Sequence, residues 1–190
     1  WAIMIKPKIL KVNKNQQTGN PKTHGYNAYD FDDKPDKYAR ASIYAKVTQA
    51  KKTETRTWTA NTSTDPFKPS TGTRRLRTED YGNYVKLHGE VDGKTIYEIS
   101  SHHKSNSLNV LIGQEVKPGD VLAEIGNTGN VRAVGGGDGT HEHKEFRDTD
   151  NKAIEVEFID KPLEQSNQME KLPKDSVIRD FYKAVKSEFS

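Results

Sequence analysis

The chain has 190 residues, of which 32% are hydrophobic and 30% are charged, with a mean hydropathy of −0.94 and a formal net charge of +3. This composition supports one modest core and argues against a large α/β enzyme with a buried parallel sheet. Because the sequence contains no cysteine, disulfides and thiolate metal sites are excluded, and any tight metal site must use His, Asp or Glu. The short apolar runs predict no membrane span, and the scattered basic residues predict no nucleic-acid partner.

Short strands are predicted along most of residues 1–160. The apolar and alternating stretches that predict them are Lys8–Val12, Ala41–Ala50, Tyr84–Leu87, Lys94–Ile99, Leu108–Ile112, Val121–Ile125 and Ile154–Phe158. Asp92-Gly93 is typical of a tight hairpin turn. Strands at this spacing predict one antiparallel, mostly-β domain over residues 1–160, with long loops.

Two segments depart from this pattern. Lys51–Asp80 is rich in Thr, Arg, Lys and Pro and has little apolar periodicity. We interpret it either as a wall of a binding groove or as a basic loop without substrate contact. Residues 161–190 predict a polar linker and then one amphipathic helix from Asp175 or Ser176, because apolar residues recur there at helical spacing.

The six histidines include three local groups that could serve a metal site. The groups are His24 with Asp30, His102 with His103, and His141 with His143. In a strand, residues two apart share a face, so the last pair should project together as a natural half-site for zinc. The same residues also fit roles that involve no metal, namely solvated histidines, a His–Asp hydrogen bond and a polar hairpin tip. Pattern and composition alone therefore leave the metal site open.

Taken in order, several motifs resemble the M23 (LytM/lysostaphin-type) family of zinc endopeptidases. The resemblance covers roughly residues 8–147, and the ordered combination is more specific than any single piece. The matching segments are His24-Gly25-Tyr26-Asn27-Ala28-Tyr29-Asp30-Phe31, Gly82-Asn83-Tyr84-Val85, Thr95-Ile96-Tyr97, Ile112–Val121, Gly126-Asn127-Thr128-Gly129 and Thr140-His141-Glu142-His143-Lys144-Glu145. The resemblance implies an antiparallel β fold of the LytM/lysostaphin (duplicated hybrid motif) type.

The resemblance also implies the metal and its ligands. His24, Asp30 and His143 would bind Zn²⁺. The spacing between His24 and Asp30 is longer than in the shortest family pattern and matches the longer variants. Glu145 is a candidate for orienting one of the ligand histidines.

Two further histidines would be catalytic by the same resemblance. His141 would contact the attacking water or the tetrahedral intermediate. The family's other catalytic histidine follows a Tyr-x-His strand, but the position two after Tyr97 is Ile99. Counting back from the next motif assigns the role to His103, with His102 as a close second.

The implied function is zinc-dependent hydrolysis of peptide bonds in bacterial peptidoglycan, in a cross-bridge or a stem peptide. Such an enzyme would act outside the cytoplasm, whether periplasmic, secreted, bound to the cell wall or carried on a phage virion. The chain opens at Trp1 without a targeting segment, as expected of a mature fragment or an excised domain. Glu142 and Lys144 replace residues that are usually apolar or aromatic. Ile99 and Glu142 keep open a catalytically degenerate scaffold or amidase activator. Histidines without a catalytic role would instead fit a carbohydrate- or wall-binding module, and the oligomeric state is not indicated.

Overall fold

The computed structural model describes residues 6–52, 57–58, 81–131 and 138–160. In this part of the chain the elements are β1 (Lys8–Leu10), β2 (Gln17–Gly19), α1 (Pro21–His24), β3 (Tyr29–Phe31), β4 (Tyr38–Arg40), β5 (Ala45–Lys51), β6 (Thr57–Trp58), β7 (Asn83–Val91), β8 (Lys94–His103), β9 (Glu115–Val116), β10 (Val121–Glu124), β11 (Gly129–Asn130), β12 (Glu142–Arg147) and β13 (Glu157–Ile159). The predicted mostly-β class is confirmed. The predicted C-terminal helix and most of Lys51–Asp80 lie outside the described residues. No helix within them is long and apolar enough to cross a membrane.

The largest sheet has seven strands in the order β2-β3-β12-β8-β7-β5-β9. Its neighbouring strands all pair antiparallel, in agreement with the sequence prediction. β7 and β8 are joined at Asp92-Gly93, where φ angles of 52° and 74° give the left-handed turn that a tight hairpin needs. Separate two-stranded pairs are formed by β1 with β13, β4 with β10 and β6 with β11.

Alternation along the central strands gives the sheet two different faces. Val85, Leu87, Ile96 and Phe146 point into the core, and none is more than 1% exposed. Two clusters build this core: one is Ile9, Tyr29, Phe31, Ile43, Ile96, Phe146 and Val156, and the other is Ala41, Val47, Val85, Leu87, Val110, Val116 and Leu122. Intervening residues of the same strands face the opposite side. That side of the sheet carries His143.

Three predicted strands need correction, of which Ala41–Ala50 begins only at Ala45. Leu108–Ile112 is an irregular loop, in which Leu111 and Ile112 are 76% and 67% exposed. The Leu111 N–H donates to the side chain of Gln114 at 3.0 Å, so a local turn takes the group that a strand ladder would use. The last predicted strand begins later than expected, because only Glu157–Ile159 is paired, in parallel with β1.

Glu142 and Lys144, which looked out of place in a core, are buried as mutual partners. Lys144 Nζ lies 2.9 Å from Glu98 Oε1 and 3.2 Å from Glu142 Oε1. Lys144 also donates to Ser42 Oγ at 2.9 Å, and Ser100 Oγ donates to Glu142 Oε1. Buried charges are tolerated when they are paired and hydrogen-bonded, so this network replaces the apolar packing that the resemblance implies.

Candidate metal centre

Three adjacent elements carry the residues predicted to bind a metal. α1 starts after the N-cap Asn20 and ends at Gly25, whose φ of 73° stops the helix just after His24. Asp30 is the central residue of β3 and stands opposite His143 of β12. Directly opposed residues of antiparallel strands project to the same face. The short helix α1 and the strands β3 and β12 therefore bring all three side chains together.

The three side chains form a tight cluster. His143 Nδ1 is 2.9 Å from Asp30 Oδ1, and His24 Nε2 is 3.0 Å from Asp30 Oδ2. One ligand atom from each residue lies within 4.8 Å of the other two. Among the described residues, this is the single group of His and acidic side chains that meets this criterion. The structure thus brings together the residues that the sequence motifs single out.

Several features of the cluster fit a bound zinc ion. The donor set is two imidazoles and one carboxylate, which zinc accepts while keeping a position open. His24 Nε2 is buried and makes no hydrogen bond, although it lies close to Asp30. Gly19 leaves the necessary space, because a Cβ there would be 2.6 Å from Asp30 Oδ2 and 2.8 Å from His24 Nε2. His143 Nε2 lies 3.0 Å from Glu145 Oε1, so its Nδ1 is the nitrogen turned towards Asp30.

Filling that space should weaken zinc binding. Gly19→Ala is expected to raise the zinc dissociation constant about 10- to 100-fold, the range for changes beside metal ligands, because the new methyl displaces Asp30 and His24. Competition with a chromophoric chelator measures this. Thr18→Ala, at the exposed neighbouring position of β2, is the matched control and should bind as the wild type does. Unchanged affinity of Gly19→Ala would show that the metal does not use this space.

The charges of the cluster favour a cation at its centre. Burial by itself would raise the pKa of Asp30, but the hydrogen bond from His143 and the adjacent His24 outweigh burial and hold the pKa well below its ordinary value. Burial would likewise lower the pKa of His143. Hydrogen bonds to Asp30 and Glu145 outweigh it and raise the pKa to about 9. Two carboxylates thus stabilise positive charge at His143, whether it comes from a proton or from a metal.

His141 lies beside the cluster with a defined tautomer. Its Nδ1 is 2.7 Å from the carbonyl oxygen of Gly139, which only accepts, so Nδ1 carries the proton. Its Nε2 lies 3.8 Å from Asp30 Oδ1. Burial lowers the pKa of His141, although Asp30 partly opposes this. His141 therefore presents a neutral Nε2 with a free lone pair to the cluster.

His102 lies beside both His141 and His143. Its ring centroid is 4.8 Å from that of His141 and 5.6 Å from that of His143. Its Nδ1 is 2.8 Å from the carbonyl oxygen of Thr128, which again fixes the proton on Nδ1. Burial and the neighbouring imidazoles hold the pKa of His102 well below its ordinary value. The metal cluster is thus flanked by two neutral imidazoles, each anchored at Nδ1 by a backbone carbonyl.

His103, the residue preferred from the sequence, does not lie in this group. It is fully buried on the core side of the sheet, where its Nε2 is 2.8 Å from Ser100 Oγ. The cause is a register shift in which Asn83 pairs with His103 but Tyr84 pairs with Ser101. His102 is the extra residue of this bulge, with a left-handed φ of 63°. The structure therefore places His102, the second choice from the sequence, beside the cluster and His103 on the core side.

The strand register also explains why Ile99, two positions after Tyr97, lies away from the cluster. Ile99 of β8 stands opposite Glu145, whereas Ser101 stands opposite His143. Position 99 therefore lies too far along β8 to flank the metal ligands. Sequence reasoning assigned no role to Gly19 or Thr128. Thr128 belongs to a motif turn, whereas nothing in the sequence around Gly19 signals a site.

The chain is similar in structure to M23 peptidases. It aligns with the catalytic domain of the prophage-encoded M23 protein EnpA from Enterococcus faecalis at 13% identity and a TM-score of 0.47, over 75% of this chain and 89% of that chain. The catalytic domain of the antimicrobial peptidase lysostaphin from Staphylococcus simulans aligns at 17% identity and a TM-score of 0.45, over 76% and 90%. A zinc-containing peptidase from Vibrio cholerae aligns at 20% and 0.47, over 79% of this chain and 39% of that chain.

No protein-family profile matches the sequence, and no curated protein matches it either. The functional proposal therefore rests on the geometry of the site and on the ordered sequence motifs.

Proposed function

We propose that the chain is a zinc-dependent endopeptidase that hydrolyses peptide bonds in bacterial peptidoglycan. The observation that carries this proposal is the cluster of His24, Asp30 and His143 flanked by the neutral imidazoles of His141 and His102. Three ligands with adjacent proton acceptors are what metal-assisted hydrolysis requires. The choice of peptidoglycan comes from the ordered motifs, and it implies action outside the cytoplasm.

In this mechanism, His24, Asp30 and His143 hold the metal. Zinc bound there would act as a Lewis acid that activates water and polarises a carbonyl group. Glu145 accepts from His143 Nε2 at 3.0 Å and fixes the orientation of that ring. The chain's own ligands thus set where the scissile bond must lie.

His141 and His102 move the protons. Each has an unprotonated Nε2, because its Nδ1 proton is held by a backbone carbonyl. One imidazole accepts a proton from the attacking water and becomes positively charged. Its carbonyl partner at Nδ1 stabilises this charge. The proton is then delivered to the amide nitrogen as the C–N bond breaks, so the amine departs in its neutral form. The second proton of the water passes from the new carboxyl group to the other imidazole and then to solvent, which leaves a carboxylate.

Chelation provides the direct test. The purified chain is expected to contain about one zinc per molecule and to release soluble peptides from peptidoglycan sacculi, because its hydrolytic site depends on the metal. Removal of zinc with a chelator should stop this release, and added zinc should restore it. Hydrolysis that continues in the zinc-free protein would overturn the proposal. Zinc binding without release would instead favour a degenerate scaffold.

A further inference from the structure

His143 has a second buried contact region on the side away from Asp30. There, Glu145 is 0% exposed and accepts hydrogen bonds at both of its oxygens. Oε1 accepts from His143 Nε2 at 3.0 Å and from the Tyr81 hydroxyl at 2.9 Å. Oε2 accepts from Arg147 Nε at 2.8 Å and from Arg147 Nη2 at 2.6 Å. The carboxylate is therefore held from two directions, and we call Tyr81 and Arg147 the anchor pair.

The anchor pair is itself fixed to the fold. Arg147 Nη1 donates to the carbonyl of Asn151 at 2.7 Å, and Nη2 lies 3.2 Å from the Tyr81 hydroxyl. Arg147 is the last residue of β12, and Asn151 belongs to the turn that follows. The guanidinium thus spans from this turn to the carboxylate with a planar, forked geometry that lysine cannot reproduce.

We propose that Tyr81 and Arg147 are positioning residues for the metal centre, which hold the Glu145 side chain in place so that His143 turns Nδ1 towards Asp30. This inference rests on the proposed function, because it assumes that the cluster binds zinc. Neither member of the pair touches the three ligand atoms of the cluster. Both act on the metal through Glu145 and the His143 ring.

The physical reason lies in the two tautomers of imidazole. A neutral histidine carries its proton on either nitrogen, and only the unprotonated nitrogen can bind a metal. A carboxylate next to Nε2 keeps the proton there and leaves the Nδ1 lone pair for the metal. A buried carboxylate held by His143 alone would be free to turn away from that ring. The anchor pair fixes the carboxylate of Glu145 in place.

Zinc affinity provides the readout. Arg147→Met is expected to raise the zinc dissociation constant about 10- to 100-fold, as for other groups that support metal-ligating histidines. Tyr81→Phe removes the hydrogen bond to Glu145 and the weaker one from Arg147 Nη2, and it should raise the zinc dissociation constant about 2- to 10-fold. Arg147→Lys keeps the charge without the forked contact and should fall between Arg147→Met and the wild type. Chelator competition measures all of these constants without reference to peptidase activity.

Arg40→Met is the matched control. Arg40 is also a partly buried arginine, bound to Asp36 and to the carbonyl of Gly119, and it lies outside the metal cluster. Its removal should lower the thermal midpoint but leave the zinc dissociation constant unchanged. Cobalt substitution adds a spectroscopic signature, because the visible bands of bound Co²⁺ respond to ligand geometry. The bands should change in Arg147→Met and remain those of the wild type in Arg40→Met.

The possible failures can be told apart. If Arg147→Met and Tyr81→Phe bind zinc as tightly as the wild type and lose only thermal stability, the pair is merely structural and the inference is wrong. If the wild-type chain itself binds no zinc, the proposed function fails and the inference falls with it. Tighter binding by the wild type than by both variants, with Arg40→Met unaffected, would support the inference.

Discussion

Zinc binding and peptidoglycan hydrolysis are both expected to be lost when His143 is replaced by alanine. His143 is one of the three proposed metal ligands, and its Nδ1 lies 2.9 Å from Asp30 Oδ1. A catalytic metal contributes several kcal/mol to transition-state stabilisation, and about 4 kcal/mol corresponds to a rate loss of about a thousandfold. The zinc content per molecule and the initial rate of peptide release from sacculi measure the two effects.

Because His143 is buried, its removal could also disturb folding. His24→Ala, at a more exposed ligand, should give the same two losses and serves as the second variant. His88→Ala is the control, because His88 is an exposed histidine of the same sheet that stacks on Tyr97 with ring centroids 4.8 Å apart. It should keep full zinc content and rate. A folded, zinc-free His24→Ala protein that hydrolyses sacculi at the wild-type rate would contradict the proposed mechanism.

The second large effect separates two consecutive histidines. His102→Ala is expected to lower kcat about 10²- to 10⁴-fold, as for loss of a general acid or base, while the zinc content stays at the wild-type level. The reason is that His102 lies beside His141 and His143 without being one of the three proposed ligands. Steady-state kinetics on a soluble peptide substrate measures this loss, and metal analysis of the same sample checks the zinc.

His103→Ala should behave in the opposite way. The buried imidazole contacts Ser100 Oγ, so its loss should destabilise the fold by about 1–3 kcal/mol, because a buried hydrogen bond is lost and a cavity replaces the ring. The folded protein should keep the kcat of the wild type. Denaturant unfolding gives the stability, and kinetics well below the midpoint gives kcat. A large loss of kcat in His103→Ala, with His102→Ala unaffected, would reverse the assignment.

Local pattern was sufficient for part of the site. Period-two alternation places His141 and His143 on one face, and the structure has both next to Asp30. The tight hairpin at Asp92-Gly93 likewise follows from local turn chemistry, because both positions need positive φ. These features depend only on neighbours in the sequence.

Features that depend on distant partners could not be predicted. The bulge at His102 is a property of the register between β7 and β8, and no residue near it in the sequence indicates the register shift. Glu142 and Lys144 looked like flaws in the core because their partner Glu98 comes from β8. The apolar run Leu108–Ile112 predicted a strand, but the structure has a loop there whose last two residues are exposed. A run this short has no periodicity that distinguishes a strand from a loop.

The bulge in β8 affects how strictly the register of this strand must be kept. A shift of one residue in a strand moves every following side chain to the other face. With the bulge, His102 lies beside the cluster; in a regular strand, His103 would follow Ser101 onto that face instead. Either register therefore presents an imidazole to the same side of the sheet. The doubled histidine gives this position a redundancy that a single histidine between other residues would lack.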